Sequence, residues 1–420
     1  MTEFRFDDPD QYVHGTPFAE FARLRREAPF AWHESSRVHG DGYWLVTRHR
    51  DVVSISRDPG RFATTAPVLA DPVPRALWAK FPSLAMIADN LMTFGPEQHA
   101  RFRPLATALL APASLLAMED RVRAVCARIM HDVSGRPGFD FASEVALRVP
   151  VEILFGMFLG VPDEDLDRMR DWVLTINAME DPVFRQHADS VIEDARALYE
   201  YGFALFRRLR AEPPGPSLLS TLVHGEAPQG MTPEQFFLVY WFPLVAGAFD
   251  TTASTIAGGV RALLQHPDQL LRLREDPSLI PVAVDELVRW VSPVVYFRRT
   301  ATEDTEYEGH RIRRGQKVVL CYASANRDEE VFADPDRFDV GRKPNRHVSF
   351  GYGPHFCPGG RISSLLIRLF LEAYLDRIAE LELEGPAIHT RSAWMNRIWS
   401  MPVRHRTQVP AAGAAHASAA

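Results

Sequence analysis

The chain has 420 residues, 46% of them hydrophobic, with a formal net charge of −7 and a pI near 6.1. A large core is available, and the acidic balance argues against an overall nucleic-acid footprint, local basic patches aside. Three cysteines, Cys126, Cys321 and Cys357, cannot all pair and form no CxxC, which argues against a disulfide framework or a zinc site.

The N-terminal "MTEFRFDDPDQYVHG" is acidic and lacks the apolar centre of a leader peptide. No stretch approaches ~18 uninterrupted apolar residues, so no membrane span is expected and a cytoplasmic protein is. "TPFAEFARLRREAPFAW" has helical spacing up to its "AP", "GYWLVT" reads as a short strand, and "RHRDVVSISRDPGRFA" as a short helix. Residues 63–95 show no period and are expected to form a long loop with one short helix, the kind of loop that serves as a lid or binding segment. From Pro96 to about Leu209 the helical period dominates, broken at "SGRPGFD" and "GVPDEDLD".

The longest helix candidate begins at "TPEQ", where Thr232 can cap, Pro233 suits the first turn and Gln235 can close a capping box. Its apolar pattern runs from Phe236 to Leu264, which at about 1.5 Å per residue predicts a rod of roughly 40–50 Å. Apolar almost all round, it is expected to cross the middle of the molecule. Helices near 267–275 and 281–291 follow, then strands around "FRRTAT", "TEYEGHRI" and "QKVVLCY", and a last helix from about Arg361 to Ile378. No repeat or linker stands out. One domain over 1–408 is expected, mainly α with small β-sheets (α+β), with a disordered Ala-rich tail at 409–420.

Four stretches carry chemistry. "FGYGPHFCPGG" (350–360) frames Cys357 with glycines that let backbone N–H groups turn towards a sulfur, and the helix that follows aims its positive end at it. "DELVRW" puts Glu286 and Arg289 on one helix face. "AGAFDTT", inside the long helix, sets an acid and an alcohol, Asp250 and Thr251, beside small residues, Gly247 and Ala248. Such a pair can relay protons, although Thr251 and Thr252 can equally bond back to the preceding turn. "HARFR" supplies His99 and Arg103.

Together these resemble the soluble bacterial cytochrome P-450 family, the haem-thiolate monooxygenases. The resemblance covers nearly the whole chain and is nearest in pattern to the branch that hydroxylates terpenoids, steroids and lipids. It implies that haem b lies between the central helix and the cysteine-loop helix. Cys357 would be the axial iron ligand, within a loop whose matching positions are Phe350, Gly351, Gly353, His355 and Gly359. His99, Arg103, Arg299 and His355 would hold the haem propionates, with Arg299 preferred to Arg298 for its place before "TA". Glu286, Arg289 and Arg337 of "DPDRFDV" would form a structural cluster. Asp250 and Thr251 would be the proton relay, and Ala248, in place of the usual glycine, would flank the oxygen pocket. Pro243 is expected to bend the helix, and a local widening often accompanies such a groove.

The family pattern places Leu91, Phe249, Val294, Val295, Trp394, Met395 and Ile398 along the substrate pocket, an apolar set suited to a hydrophobic small molecule. The last-turn stretch "WMNRIW" departs from the branch by adding bulk at Arg397 and Trp399, and Ser363, Ser364 and Leu366 replace residues common behind the haem. O2 is the implied co-substrate. Electrons would come from NAD(P)H through a reductase and a ferredoxin (2Fe-2S or 3Fe-4S), docked on Arg346, Arg361 and Arg368. A monomer is expected, with no nucleic-acid or membrane partner. Hydroxylation, epoxidation, demethylation and oxidative coupling all stay open as outcomes. A peroxide-driven enzyme or a non-catalytic binding module on the same fold are the rival readings.

Overall fold

The computed structural model describes residues 4–35, 41–64, 90–111, 117–184, 190–377 and 381–405. Most of the loop expected at 63–95, and the tail at 409–420, lie outside them. Helices dominate, and a five-stranded sheet lies to one side. Its strands are β1 (Phe30–His33), β2 (Tyr43–Val46), β3 (Phe62–Ala63), β4 (Tyr296–Ala301) and β5 (Lys317–Cys321), in the order β1-β2-β5-β4-β3. β2 and β5 run parallel, with Tyr43 opposite Lys317, and the other pairs are antiparallel. "TEYEGHRI" forms a separate hairpin.

The central helix, Pro233–Gln265, starts as its sequence predicts. Gln235 N donates to Thr232 Oγ1 at 3.2 Å, and Thr232 N donates to Gln235 Oε1 at 2.9 Å. By length and composition this helix would suit a membrane, but it runs through the protein, with Phe237, Trp241, Phe249, Ile256 and Val260 almost fully buried. The expected widening beside Asp250 is not there: the helix is α-helical throughout, with Pro243 inside it, and π-helical turns occur at Ala142–Ala146 and Val151–Leu159.

The central helix crosses the helix Ile280–Val291 at two glycines. A Cβ on Gly258 would come within 2.7 Å of Val291 Cγ2, and one on Gly259 within 2.5 Å of Leu287 Cδ2. Only glycine permits so close a crossing, and it brings the "DELVRW" helix under the same core. The last helix, Gly360–Arg377, packs against Glu119–Ser134 and Ile280–Val291. The cysteine loop is thus held between the central helix and the sheet side of the molecule.

Candidate active site

Cys357 lines a cavity of about 370 Å³. Its loop is built from backbone bonds: Cys357 N donates to Phe350 O at 2.7 Å and Gly351 N to Val348 O at 2.8 Å. Gly351 (φ +73°) and Gly353 (φ +71°) adopt left-handed conformations that disfavour other residues, and a Cβ on Gly353 would strike Ser56 O. Burial pushes the Cys357 thiol up, while the Gly359 N–H, the Arg103 charge and the Gly360 N–H pull it down. A thiol so placed needs a cation to become a stable thiolate. Cys126 and Cys321, by contrast, are buried and pushed up to about 12 chiefly by burial, which keeps them as inert thiols.

At one edge of the cavity His99, Arg103, Arg299 and His355 come together. The two imidazole centroids are 4.0 Å apart. Burial, then the Arg103 charge, lowers His99 to about 4. Burial, then His99, Arg299 and Arg103, lowers His355 to about 3. Among the described residues none of the four has a carboxylate partner: Arg103 reaches only Thr107 and the carbonyl of Pro354, and Arg299 only the carbonyl of Arg298. Clustered donors without an anion are costly unless a ligand supplies negative charge. Two carboxylates at the rim of a flat group above Cys357 would meet that need, so the donor set fits haem. Arg299 lines the cavity, and Arg298, on the other face of β4, does not.

Thr251 lines the cavity with Gly247 and Ala248, and its Oγ1 donates back to Gly247 O at 3.1 Å. Asp250 does not line it. The carboxylate is fully buried behind the helix, with Oδ2 accepting from Asn177 Nδ2 and Arg397 Nη1, each at 3.2 Å, and Oδ1 without a partner among the described residues. The acid and the alcohol are therefore adjacent in sequence but face different surroundings. Thr252 Oγ1 lies 3.1 Å from Ser363 Oγ, a link between the central and cysteine-loop helices.

The structural cluster needs one correction. Glu286 receives Arg289 at 2.7 and 2.8 Å, as expected, but the second guanidinium is Arg342, whose Nε lies 3.2 Å from the Glu286 carboxylate. The side chain of Arg337 is exposed, and only its carbonyl takes part, accepting from Arg342 Nη2 at 2.7 Å. Asn345 Nδ2 and the N–H of Asp339 complete the bonding of Glu286.

Of the pocket residues, Leu91, Val294, Trp394 and Met395 line the cavity, whereas Phe249, Val295 and Ile398 do not. Phe249 points away from it, its ring against Phe155 at 5.2 Å. Val295 alternates with Val294 and faces the cluster of Phe6 and Tyr296, and Ile398 belongs to the main core. Among lining residues that the sequence reading missed are Phe158, Ile176, Asn177, Met179 and Phe297. Asn177, Arg342 and Ser363 carry no motif of their own. Arg397 did stand out, as a charge within an aromatic last turn.

A cytochrome P450 family model matches residues 239–386. The chain is 33% identical over 416 residues to a steroid C26-monooxygenase of Rhodococcus jostii, spanning 96% of this chain and 85% of that protein. It is 32% identical over 401 residues to a linalool 8-monooxygenase of Pseudomonas putida, spanning 94% and 97%. The solved Mycobacterium marinum cytochrome P450 CYP268A2, in complex with pseudoionone, superposes with a TM-score of 0.86 at 29% identity, over 96% of this chain and 100% of that one. Its fold, its cysteine loop and these relatives place the chain in the cytochrome P450 family of monooxygenases, oxidoreductases that bind haem b, use O2 and draw electrons from NAD(P)H through redox partners.

Proposed function

We propose that the protein inserts one oxygen atom from O2 into a hydrophobic small molecule of terpenoid, steroid or lipid type. We further propose that it works as a cytoplasmic monomer, with residues 1–408 as one catalytic domain reduced by a ferredoxin. The observation that carries the reading is the cavity: one half-buried thiol in its wall, four basic groups with no carboxylate partner among the described residues, and walls that are otherwise mostly apolar.

When bound, haem supplies dioxygen activation at an iron held by the Cys357 sulfur. Cys357 binds the metal, and the N–H groups of Gly359 and Gly360 temper the charge on its sulfur. His99, Arg103, Arg299 and His355 orient the macrocycle by its carboxylates. Gly247 and Ala248 leave room beside the central helix, where a Cβ on Gly247 would meet nothing within 4 Å. Thr251 presents a hydroxyl to that space and can hold or pass a proton there. Leu91, Val294 and Met395 exclude water and hold the substrate by apolar contact.

The test is the absorption spectrum of the dithionite-reduced protein with and without carbon monoxide, followed by turnover with terpenoid and steroid panels. A strongly red-shifted Soret band that is lost in Cys357→Ser, together with an oxygenated product labelled from 18O2, is the expected result. A protein that takes up no haem on reconstitution overturns the reading.

A further inference from the structure

Asn177 closes the helix Leu166–Asn177 and is 4% exposed, yet it lines the cavity. Its Nδ2 donates to Ala246 O at 3.1 Å and to Asp250 Oδ2 at 3.2 Å. Both partners are pure acceptors, so only the NH2 end of the amide can face them, and the orientation of the side chain is decided by chemistry. Oδ1 is left over. It has no hydrogen-bond partner among the described residues, although it belongs to a residue more than nine-tenths buried.

Of the other polar side chains of the cavity wall, Thr64 Oγ1 and Trp394 Nε1 are shut away without a hydrogen-bond partner among the described residues, and several hydroxyls are already engaged. Thr251, Thr252 and Thr255 each spend their one proton on a carbonyl of the central helix. The Tyr240 hydroxyl is turned away to Phe102 O. Asn177 alone presents a fixed amide oxygen, the stronger acceptor, and its two bonds to the central helix hold it about one turn before Thr251.

Asn177 Oδ1 is open to the cavity rather than shut away, so a ligand that covers it without supplying a donor leaves a desolvated acceptor, which costs free energy, whereas a ligand that supplies the donor avoids that cost. Sites built this way favour ligands that carry the matching group over isosteres that lack it. Resting on the reading of this cavity as a monooxygenase substrate site, we infer that Asn177 Oδ1 anchors the substrate, and that the substrate is an apolar molecule bearing a hydrogen-bond donor, a hydroxyl, at one end. Ketones, aldehydes and plain hydrocarbons of the same skeleton lack the group that Asn177 accepts from.

The experiment compares citronellol with citronellal, which has the same carbon skeleton without the donor, for binding to the haem-loaded protein by calorimetry. Wild type is expected to bind the alcohol about 5-fold or more tightly than the aldehyde, the worth of one buried hydrogen bond. Asn177→Leu is expected to bring the ratio close to one. Asn177→Ser, which keeps a donor for Asp250 but withdraws the amide oxygen, is the companion variant and should do the same. Equal affinities in wild type, an alcohol that does not bind, or a preference that survives both substitutions each overturn the anchor. The carbon monoxide spectrum separates the two levels. If the red-shifted band is present while the ratio is one, the anchor alone fails; if the band is missing, the monooxygenase reading fails as well.

Discussion

Arg397 Nη1 sits 3.2 Å from Asp250 Oδ2, and neither side chain is more than 3% exposed. The arginine comes from the last turn, where its Nε also donates to Thr390 Oγ1 and its guanidinium lies 4.7 Å from the Phe184 ring centroid. The pair thus ties the chain's last segment to the centre of the long helix. Removing one partner of a buried pair leaves an uncompensated charge, which typically costs about 3–5 kcal/mol. Arg397→Leu is expected to lose stability on that scale, and Arg397→Leu with Asp250→Leu to recover part of it. Chemical denaturation of all four members of the cycle reads the coupling, and strictly additive losses would show that the tie has no energetic content.

Thr251 faces the cavity while Asp250 faces Arg397, so the two should separate in kinetics. Thr251→Ala is expected to keep the carbon monoxide spectrum and substrate affinity but to lower product formed per NAD(P)H by about 100-fold or more, the usual worth of a positioned proton donor. Asp250→Asn, isosteric but without the charge that pairs Arg397, is expected to lose stability and to increase the solvent isotope effect on turnover. Unchanged coupling in Thr251→Ala would remove the alcohol from the relay.

The correction beneath the site has its own consequence. Arg342 bonds Glu286 and also the carbonyls of Ala333, Asp334 and Arg337, whereas the Arg337 side chain is in solvent. Arg342→Ala is expected to cost about 3 kcal/mol or more and to lower haem content on purification. Arg337→Ala should stay within about 0.5 kcal/mol of wild type. The reverse ranking, read from thermal unfolding and the Soret-to-protein absorbance ratio, would restore Arg337 to the cluster.

His389 gives a pH dependence away from the haem site. Its ring packs over Gly15, neither nitrogen has a hydrogen-bond partner among the described residues, and burial, then the charges of Arg261 and His14, pushes it down to about 4. In the unfolded chain it titrates near 6.5. Between those values the unfolded state binds the extra proton, so stability rises with pH across this window and falls on acidification. From pH 7 to pH 5 this one group should account for about 1–2 kcal/mol of lost stability. His389→Gln should flatten that part of the curve, measured as urea midpoint against pH, and a curve of unchanged slope would place the acid sensitivity elsewhere.

Local signals carried most of the fold. The capping box at Thr232, the breaks at "SGRPGFD" and "GVPDEDLD" and the strand at "QKVVLCY" are decided by neighbours in sequence, and each appears where it was expected. What failed depends on rotation about an axis or on distant partners. Phe249 and Thr251 are two residues apart on one helix, about 200° around it, so one joins the core and the other the cavity. Val294 and Val295 alternate for the corresponding reason in extended chain. Arg342 was illegible because any of several arginines near "DPDRFDVGRK" could turn inward, and only packing decides which does. Asn177 has no signal at all until Asp250 and Ala246 are beside it.

The surface on the cysteine side can be tested for reduction. Arg346 and Arg361 are exposed, and Phe356, 45% exposed, lies near them in the cysteine loop. Arg368, also expected in this patch, is instead tied to Glu119 at 2.7 Å, and its charge is largely spent within the protein. If an acidic ferredoxin docks on this face, the two exposed arginines steer it and Arg368 does not. Arg361→Glu is expected to slow haem reduction by about 10-fold at low salt while leaving substrate affinity unchanged, with the difference shrinking as salt screens the approach. Arg368→Gln should reduce at close to the wild-type rate. Stopped-flow reduction with a 2Fe-2S ferredoxin across a salt series separates the two, and equal rates for Arg361→Glu and wild type would move the docking face elsewhere.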